Sequence, residues 1–249
     1  MNAIGIDIRR KLYSSIVSRG EIETAIQKVE MHTMLSRERL ISLYDQVVFC
    51  GQQGIDGALV ECGVWKGGAV ALMAQASMSH SKDFRHIHLF DSFRGICEPN
   101  AQYDGRRALE EVAPYADVAR GRLEPVQGFY DSVGGFGTLE ENRELLEKEI
   151  GYPEGFLHYH VGWFQQTVPK SVDSIGAIAV LRLDGDWYES TKICLDYLYD
   201  SVQKGGFVIV DDYGTYDGCR RAVDEFIVSR QIRGYLHPVD AACRYLIKA

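Results

Sequence analysis

Two pairs of aspartates stand where apolar, strand-like runs of the chain stop, and they are the residues whose spacing most clearly indicates chemistry. The pairs are Asp184 and Asp186 after residues 179–183, and Asp211 and Asp212 after residues 206–210. The carboxyl ends of parallel strands meet at one edge of a sheet, so four carboxylates are expected to lie together there. Helix capping and solvation at strand ends explain one or two of them, whereas a metal site explains all four.

A glycine-rich turn follows another apolar run, residues 58–62, and precedes a helical pattern. Glycines let the backbone approach a bound nucleoside, and the first turn of the helix offers free N–H donors. Such turns also close strand–helix units that bind nothing, so this turn alone is weak evidence. The candidate cofactor-binding residues here are Glu61, Gly63, Val64, Gly67, Gly68 and Ala69.

The next apolar run ends at Asp91, which is followed by Ser92 and Arg94. In nucleoside-binding α/β folds an acidic residue at the end of the second strand accepts hydrogen bonds from ribose hydroxyls, although Asp91 could also simply cap a helix. A third strand is predicted over residues 156–161 and precedes Trp163. The Trp163 ring is expected either to stack on adenine or a sugar, or to be packed in the hydrophobic core. His158 and His160 share a face of this strand, but nothing else in the sequence resembles a zinc ligand set.

The strand patterns alternate with helical ones, and the polar candidates fall at strand ends. This arrangement predicts a doubly wound, mostly parallel α/β sheet with helices on both faces and the site above its carboxyl edge. Residues 237–239 and 243–247 are expected to form an antiparallel edge hairpin. The chain lacks GxxxxGK[ST], a complete GxGxxG and GxSxG, so S-adenosylmethionine fits the pattern better than a nucleoside triphosphate or a nicotinamide.

Three segments divide the chain. Residues 1–57 are expected to form a helical arm or cap, whose apolar positions Ile16, Ile22 and Ile26 suit a partner subunit and hence a homo-oligomer, or the cover of a pocket. Residues 58–249 form the predicted cofactor-binding catalytic domain. Within it, residues 96–137 lose periodicity and gain glycine and aromatic residues, which favours a mobile lid over a substrate or a segment disordered in the free protein.

The composition narrows the class of partner. The 249 residues carry a net charge of −8, with no Lys/Arg stripe, which argues against binding to nucleic acid. Residues 1–20 contain no long apolar segment and no run of eighteen apolar residues occurs, so we expect a cytoplasmic protein rather than a secreted or membrane one. The six cysteines form no CxxC pair and are expected to be reduced thiols.

Five segments together resemble the macrocin O-methyltransferase (TylF-type) family, over the chain from about Thr33 to its end. They are residues 59–68, 91–95, 162–164, 181–191 and 208–214. The resemblance implies a class I methyltransferase with a seven-stranded Rossmann-like sheet, dependent on S-adenosylmethionine and Mg²⁺. Members of the family methylate sugar or phenolic hydroxyls of secondary metabolites such as antibiotics.

The resemblance also implies roles for the aspartates: Asp184, Asp211 and Asp212 would hold the metal, and Asp186 would be the general base, with Asp184 sharing this role and contacting the cofactor. Mg²⁺ prefers such oxygen ligands and lowers the pKa of a hydroxyl it binds, after which a carboxylate is an adequate base. A catechol-type phenol methyltransferase and a non-catalytic nucleoside-binding scaffold remain alternatives. The sequences of residues 96–137 and of the arm before Thr33 show little resemblance to the family. These segments are expected to shape the acceptor pocket, so the identity of the acceptor is left open.

Overall fold

The computed structural model describes residues 18–116 and 119–249, and its centre is a seven-stranded sheet in the order β3-β2-β1-β4-β5-β7-β6. Strands β1 to β5 run parallel, and β7 lies antiparallel to both β5 and β6. The strands are β1 Ala58–Cys62, β2 Ile87–Asp91, β3 Leu157–Val161, β4 Ile178–Leu183, β5 Val202–Val210, β6 His237–Pro238 and β7 Arg244–Ile247. The predicted sheet and its edge hairpin are therefore confirmed.

Helices cover both faces of the sheet. They are α1 Arg19–Gln27, α2 Arg37–Gln53, α3 Gly68–His80, α4 Arg106–Val112, α5 Leu139–Arg143, α6 Phe164–Ile175, α7 Tyr188–Leu198 and α8 Asp217–Ser229. Ser36 caps α2, since its hydroxyl accepts a hydrogen bond from the Arg39 N–H. Thr138 and Glu141 form a capping box at α5, which continues as a wider π-helical segment over Glu144–Glu149.

The sheet separates two apolar cores, because successive side chains of a strand point to opposite faces. Leu59 packs into one core together with α1, α2 and α3, whereas Val60 packs into the other with α6, α7 and α8. Ile22 and Ile26 of α1 are buried in the first core. The described part of the arm is thus packed on its own chain, while Ile16 lies outside the described residues and its contact with a partner stays a prediction.

Residues 96–137, apart from 117 and 118, contain α4 and two isolated β-bridges, Cys97 to Pro125 and Asn100 to Arg120. The segment is tied to the start of α7, because the Trp187 indole donates to the Cys97 carbonyl (2.9 Å) and the Tyr188 N–H donates to Asp104 (2.8 Å). Whether it moves as a lid stays a prediction. Among the described helices, none has the length and apolarity needed to span a membrane.

Candidate active site

The glycine turn after β1 lies against the end of β4. Gly63 has a φ of 91°, and a Cβ atom there would stand 1.8 Å from the Asp184 carbonyl oxygen. The Asp184 N–H donates in turn to the Cys62 carbonyl at 2.8 Å. Only glycine permits this approach, which places Asp184 beside the turn.

The other two glycines of the turn, Gly67 and Gly68, lie against neighbouring protein atoms and not against open space. A Cβ atom at Gly67, whose φ is 83°, would lie 2.5 Å from Asn142 Oδ1, and one at Gly68 would lie 2.6 Å from the His32 carbonyl oxygen. Their predicted contact with the cofactor is untested, and packing alone is enough to require glycine at both positions.

Asp91 organises the same turn. Its Oδ2 accepts hydrogen bonds from the N–H groups of Val64 (2.7 Å) and Trp65 (3.2 Å), and its Oδ1 accepts one from Phe93 (2.7 Å). Burial raises the pKa of Asp91, although these donors oppose the shift. The carboxylate therefore caps the turn and also borders the neighbouring cavity.

That cavity brings together residues from four strand ends. It is lined by Gly63 after β1, Asp91 and Ser92 after β2, Trp163 and Phe164 after β3, and Asp184 and Asp186 after β4, with Cys97 and Tyr130 from the 96–137 segment. Trp65, Phe136 and Gly137 line the adjoining hollow. Arg94 is exposed and does not line either space, so the structure does not bring this predicted residue to the site.

Three aspartates meet at the carboxyl edge: one carboxylate oxygen each of Asp184, Asp186 and Asp212 lies within 4.8 Å of the others. Asp186 has a φ of 55°, and its N–H donates to Asp212 Oδ2 at 3.4 Å. This left-handed backbone is costly for a residue other than glycine and aims the side chain into the cluster. Burial, followed by repulsion from neighbouring carboxylates, raises the pKa values of Asp186 and Asp212 well above the usual range.

Asp211, the fourth predicted aspartate, does not join this acidic cluster. Its carboxylate lies 2.5 Å from Arg39 Nη1 and 2.8 Å from Arg182 Nη2. Arg39 also binds Asp240, in the turn between β6 and β7, at 2.6 Å. Arg39 and Arg182 therefore offset the charge of Asp211. Arg182 also pairs with Asp184 of the cluster at 2.9 Å, so Asp186 and Asp212 are the two members of the cluster without an arginine partner among the described residues.

Glu61, a predicted cofactor residue, forms an ion pair with Arg182, which faces it in the register of β1 and β4. Burial raises the pKa of Glu61 to about 8, and the Arg182 charge opposes the shift. Glu61 Oε2 has no hydrogen-bond partner among the described residues. Glu61 nonetheless borders a cavity of about 360 Å³ that it shares with the acidic cluster, Val64 and Ala69.

Sequence reasoning missed several residues of the site. Arg39, Trp65, Arg107, Arg182 and Tyr216 all line the 360 Å³ cavity. A charge inside the apolar run of β4 was the available signal for Arg182, since a buried charge requires a partner. No local pattern identified Arg39, which is 172 residues from Asp211.

The family model for macrocin O-methyltransferase (TylF) matches residues 24–248 of the chain. The chain belongs to the macrocin O-methyltransferase family. Demethyldecarbamoylnovobiocin O-methyltransferase of Streptomyces niveus, a curated relative, is 34% identical over 212 residues, which cover 84% of this chain and 72% of that protein. Mycinamicin III 3''-O-methyltransferase of Micromonospora griseorubida is 30% identical over 198 residues, which cover 78% of this chain and 70% of that protein.

The solved structure of the O-methyltransferase NovP is similar to this macrocin O-methyltransferase family member with a TM-score of 0.71 and 33% identity, covering 88% of this chain and 82% of NovP. The calicheamicin methyltransferase CalS11, at 20% identity and a TM-score of 0.61, shares the fold. The protein is thus an S-adenosylmethionine-dependent O-methyltransferase with the class I fold, and the scaffold alternative is wrong.

Proposed function

We propose that this enzyme uses Mg²⁺ to methylate a sugar hydroxyl of a secondary metabolite. The observation that carries the proposal is the acidic cluster of Asp184, Asp186 and Asp212, which opens on the same cavity as the turn after β1. Carboxylates that repel one another in a partly buried site call for a cation.

The residues of the cluster fit a hard divalent ion. Asp184 and Asp212 belong both to the set predicted from the sequence and to the set that meets in space, so these two would hold Mg²⁺. Asp211 would join them only if its contact with Arg39 opened. When bound, Mg²⁺ supplies electrostatic stabilisation of the acceptor oxygen as it loses its proton.

The residues around the turn fit S-adenosylmethionine, which supplies the electrophilic methyl group. Asp91 and Ser92 would face the ribose, and Trp163 would lie beside the adenine. The unpaired Glu61 Oε2 would serve the polar end of the cofactor, in the cavity that Val64 and Ala69 also line. The turn holds these groups before the ligand binds, so little ordering is needed on binding.

Asp186 is the proposed general base. Its carboxylate belongs to the acidic cluster, and Asp186 lines both the 360 Å³ cavity and the cavity beside Asp91, so it borders the spaces proposed for the acceptor and for the cofactor. Proton transfer from the acceptor hydroxyl to the Asp186 carboxylate would accompany methyl transfer, and Asp184 would share this role.

The acceptor would occupy the outer part of the 360 Å³ cavity, between Trp65, Arg107 and Tyr216. Aromatic faces and charged donors suit a sugar ring. One relative is named for methylation at the 4' position of a rhamnosyl tetracenomycin, and another for the 3'' position of mycinamicin III, which supports a sugar acceptor here. Aromatic lining also suits a phenol, so the assay must include both classes.

The test is a panel of deoxysugar-bearing macrolides and aglycone phenols, incubated with S-adenosylmethionine with Mg²⁺ or with a chelator. We expect the mass of one methyl group to be added to a glycosylated acceptor, and the reaction to stop when Mg²⁺ is chelated. Methylation of phenols alone would contradict the sugar assignment. Full activity in the presence of the chelator would contradict the metal assignment.

A further inference from the structure

Four histidine rings form a column on the outer strand pair of the sheet, and none of them belongs to the site above. His86 directly precedes β2, His88 lies in β2, and His158 and His160 lie in β3, with His88 opposite His158 in the strand register. The ring of His88 stacks on those of His158 and His160, whereas His86 is tilted against His158. The ring centroids are 5.0 Å apart for His86 and His158, 4.5 Å for His88 and His158, and 5.3 Å for His88 and His160. The Phe156 ring is tilted against that of His86, with the centroids 5.0 Å apart.

The column contains two close nitrogen pairs, which differ in access. His86 Nδ1 lies 2.8 Å from His158 Nε2, and His88 Nδ1 lies 3.0 Å from His160 Nε2. The inner pair is less accessible, because His88 is buried and the Nδ1 of half-buried His160 binds the Ser171 hydroxyl at 2.9 Å. The outer pair is accessible, because His86 is exposed and His158 is half-buried.

The spacing of the outer pair matches two neighbouring ligands of a tetragonal metal centre. Metal–nitrogen bonds of about 2.0 Å at a right angle place the two nitrogens about 2.8 Å apart. We propose that His86 and His158 form a binding site for Cu²⁺, with solvent completing the coordination. Cu²⁺ binds imidazole most tightly among the divalent first-row ions and prefers this geometry.

Metal binding by the pair requires both rings to be neutral, since an imidazole coordinates a metal through the lone pair of an unprotonated nitrogen. In the hydrogen-bonded pair one facing nitrogen carries a proton. Coordination at both facing nitrogens requires that ring to move its proton to its outer nitrogen and both rings to turn toward the ion, with no net release of protons.

The experiment is electron paramagnetic resonance of the untagged enzyme with one equivalent of Cu²⁺, in excess Mg²⁺ to occupy the acidic cluster. We expect superhyperfine splitting from two equivalent imidazole nitrogens. It should be lost in His86→Asn and in His158→Asn, each of which should weaken Cu²⁺ binding in calorimetry at least about tenfold, since even indirect partners of a metal are worth that much.

His237→Asn is the matched control, because His237 stacks on Tyr245 at the opposite edge of the sheet and should leave the signal unchanged. His86 is exposed, so its replacement is not expected to impair folding, which circular dichroism would check. A two-nitrogen signal that survives either substitution, or no nitrogen splitting in the unaltered enzyme, would overturn the proposal.

Discussion

Arg39 Nη1 lies 2.5 Å from Asp211 Oδ2, so a guanidinium from α2 neutralises the first aspartate after β5. The second aspartate, Asp212, turns toward Asp184 and Asp186 instead. Adjacent residues of identical chemistry thus have different partners. The charge at this edge of the sheet therefore depends partly on a helix that lies far away in the sequence.

Replacing Arg39 by Gln is expected to remove one of the two guanidinium partners of Asp211, leaving Arg182, and so to make the charge around the acidic cluster more negative. Mg²⁺ should then bind more tightly in calorimetry, while the free energy of unfolding of the metal-free protein falls by up to about 3 kcal/mol, because the buried Asp211 carboxylate loses one partner. Arg37→Gln, at an exposed pair with Glu23, is the control. An unchanged Mg²⁺ affinity would mean that Asp211 stays apart from the ion.

Asp212→Asn should weaken Mg²⁺ binding at least about tenfold and lower methyl transfer with it, because the cluster loses one of its three carboxylates. Calorimetry and the methylation assay measure the two effects separately. Asp196→Asn removes an exposed carboxylate that pairs with Lys192 on α7 and should change neither. Equal losses in both variants would point to net charge rather than to ligation.

Gly63→Ala should be far more destabilising than Gly151→Ala. Gly63 and Gly151 have left-handed φ values of 91° and 74°, so an alanine at either position should strain the backbone and lower the free energy of unfolding by about 1–3 kcal/mol. At Gly151 a Cβ atom meets nothing within 4 Å, whereas at Gly63 it meets the Asp184 carbonyl oxygen. In urea unfolding, Gly63→Ala should lower the free energy of unfolding by about 1–3 kcal/mol more than Gly151→Ala does. Equal decreases in the two variants would mean that β1 and β4 separate easily.

The histidine column predicts a loss of stability in mild acid. Burial and the neighbouring histidines lower the pKa of His88 to about 3, and burial and His158 lower that of His160 to about 4. In the unfolded chain both histidines bind protons near pH 6.5. Their contribution to the stability of the folded protein is therefore complete above pH 6.5 and is lost as the pH falls toward their folded-state pKa values of about 4 and 3. His88 should lower the free energy of unfolding by about 2 kcal/mol at pH 5, and the more exposed His160 should lower it by less, because solvent screens its charge.

Urea unfolding at pH 7 and pH 5 measures this loss. His88→Phe keeps a stacked ring in the column but removes one titrating group, so its stability should depend less steeply on pH than that of the unaltered enzyme. His237→Asn should preserve the slope. A slope unaffected by His88→Phe would mean that other groups carry the acid sensitivity.

Much of the fold was accessible from the sequence, because it depends on local patterns. Apolar runs ending in polar residues predicted strands β1, β2, β4 and β5, and their parallel order placed Asp184 and Asp212 at one edge. The family of the enzyme followed from the same strand ends.

What the sequence did not predict depends on contacts between distant segments. The ion pair of Arg39 with Asp211 requires α2 to dock beside β5, and the packing of Gly68 requires the segment around His32 to cross the turn. The histidine pairs join residues 72 positions apart. In each case the composition of either segment alone gives no sign of the partner.

The turn between β6 and β7 holds Arg39 through Asp240, only nine residues before the end of the described chain. Removing the hairpin of β6 and β7 would take away one of the two carboxylates that bind Arg39 and leave Asp211 as its only carboxylate partner among the described residues. For anyone engineering the enzyme, this hairpin is therefore not a neutral place for truncation, because the charge balance around the candidate site is partly set there.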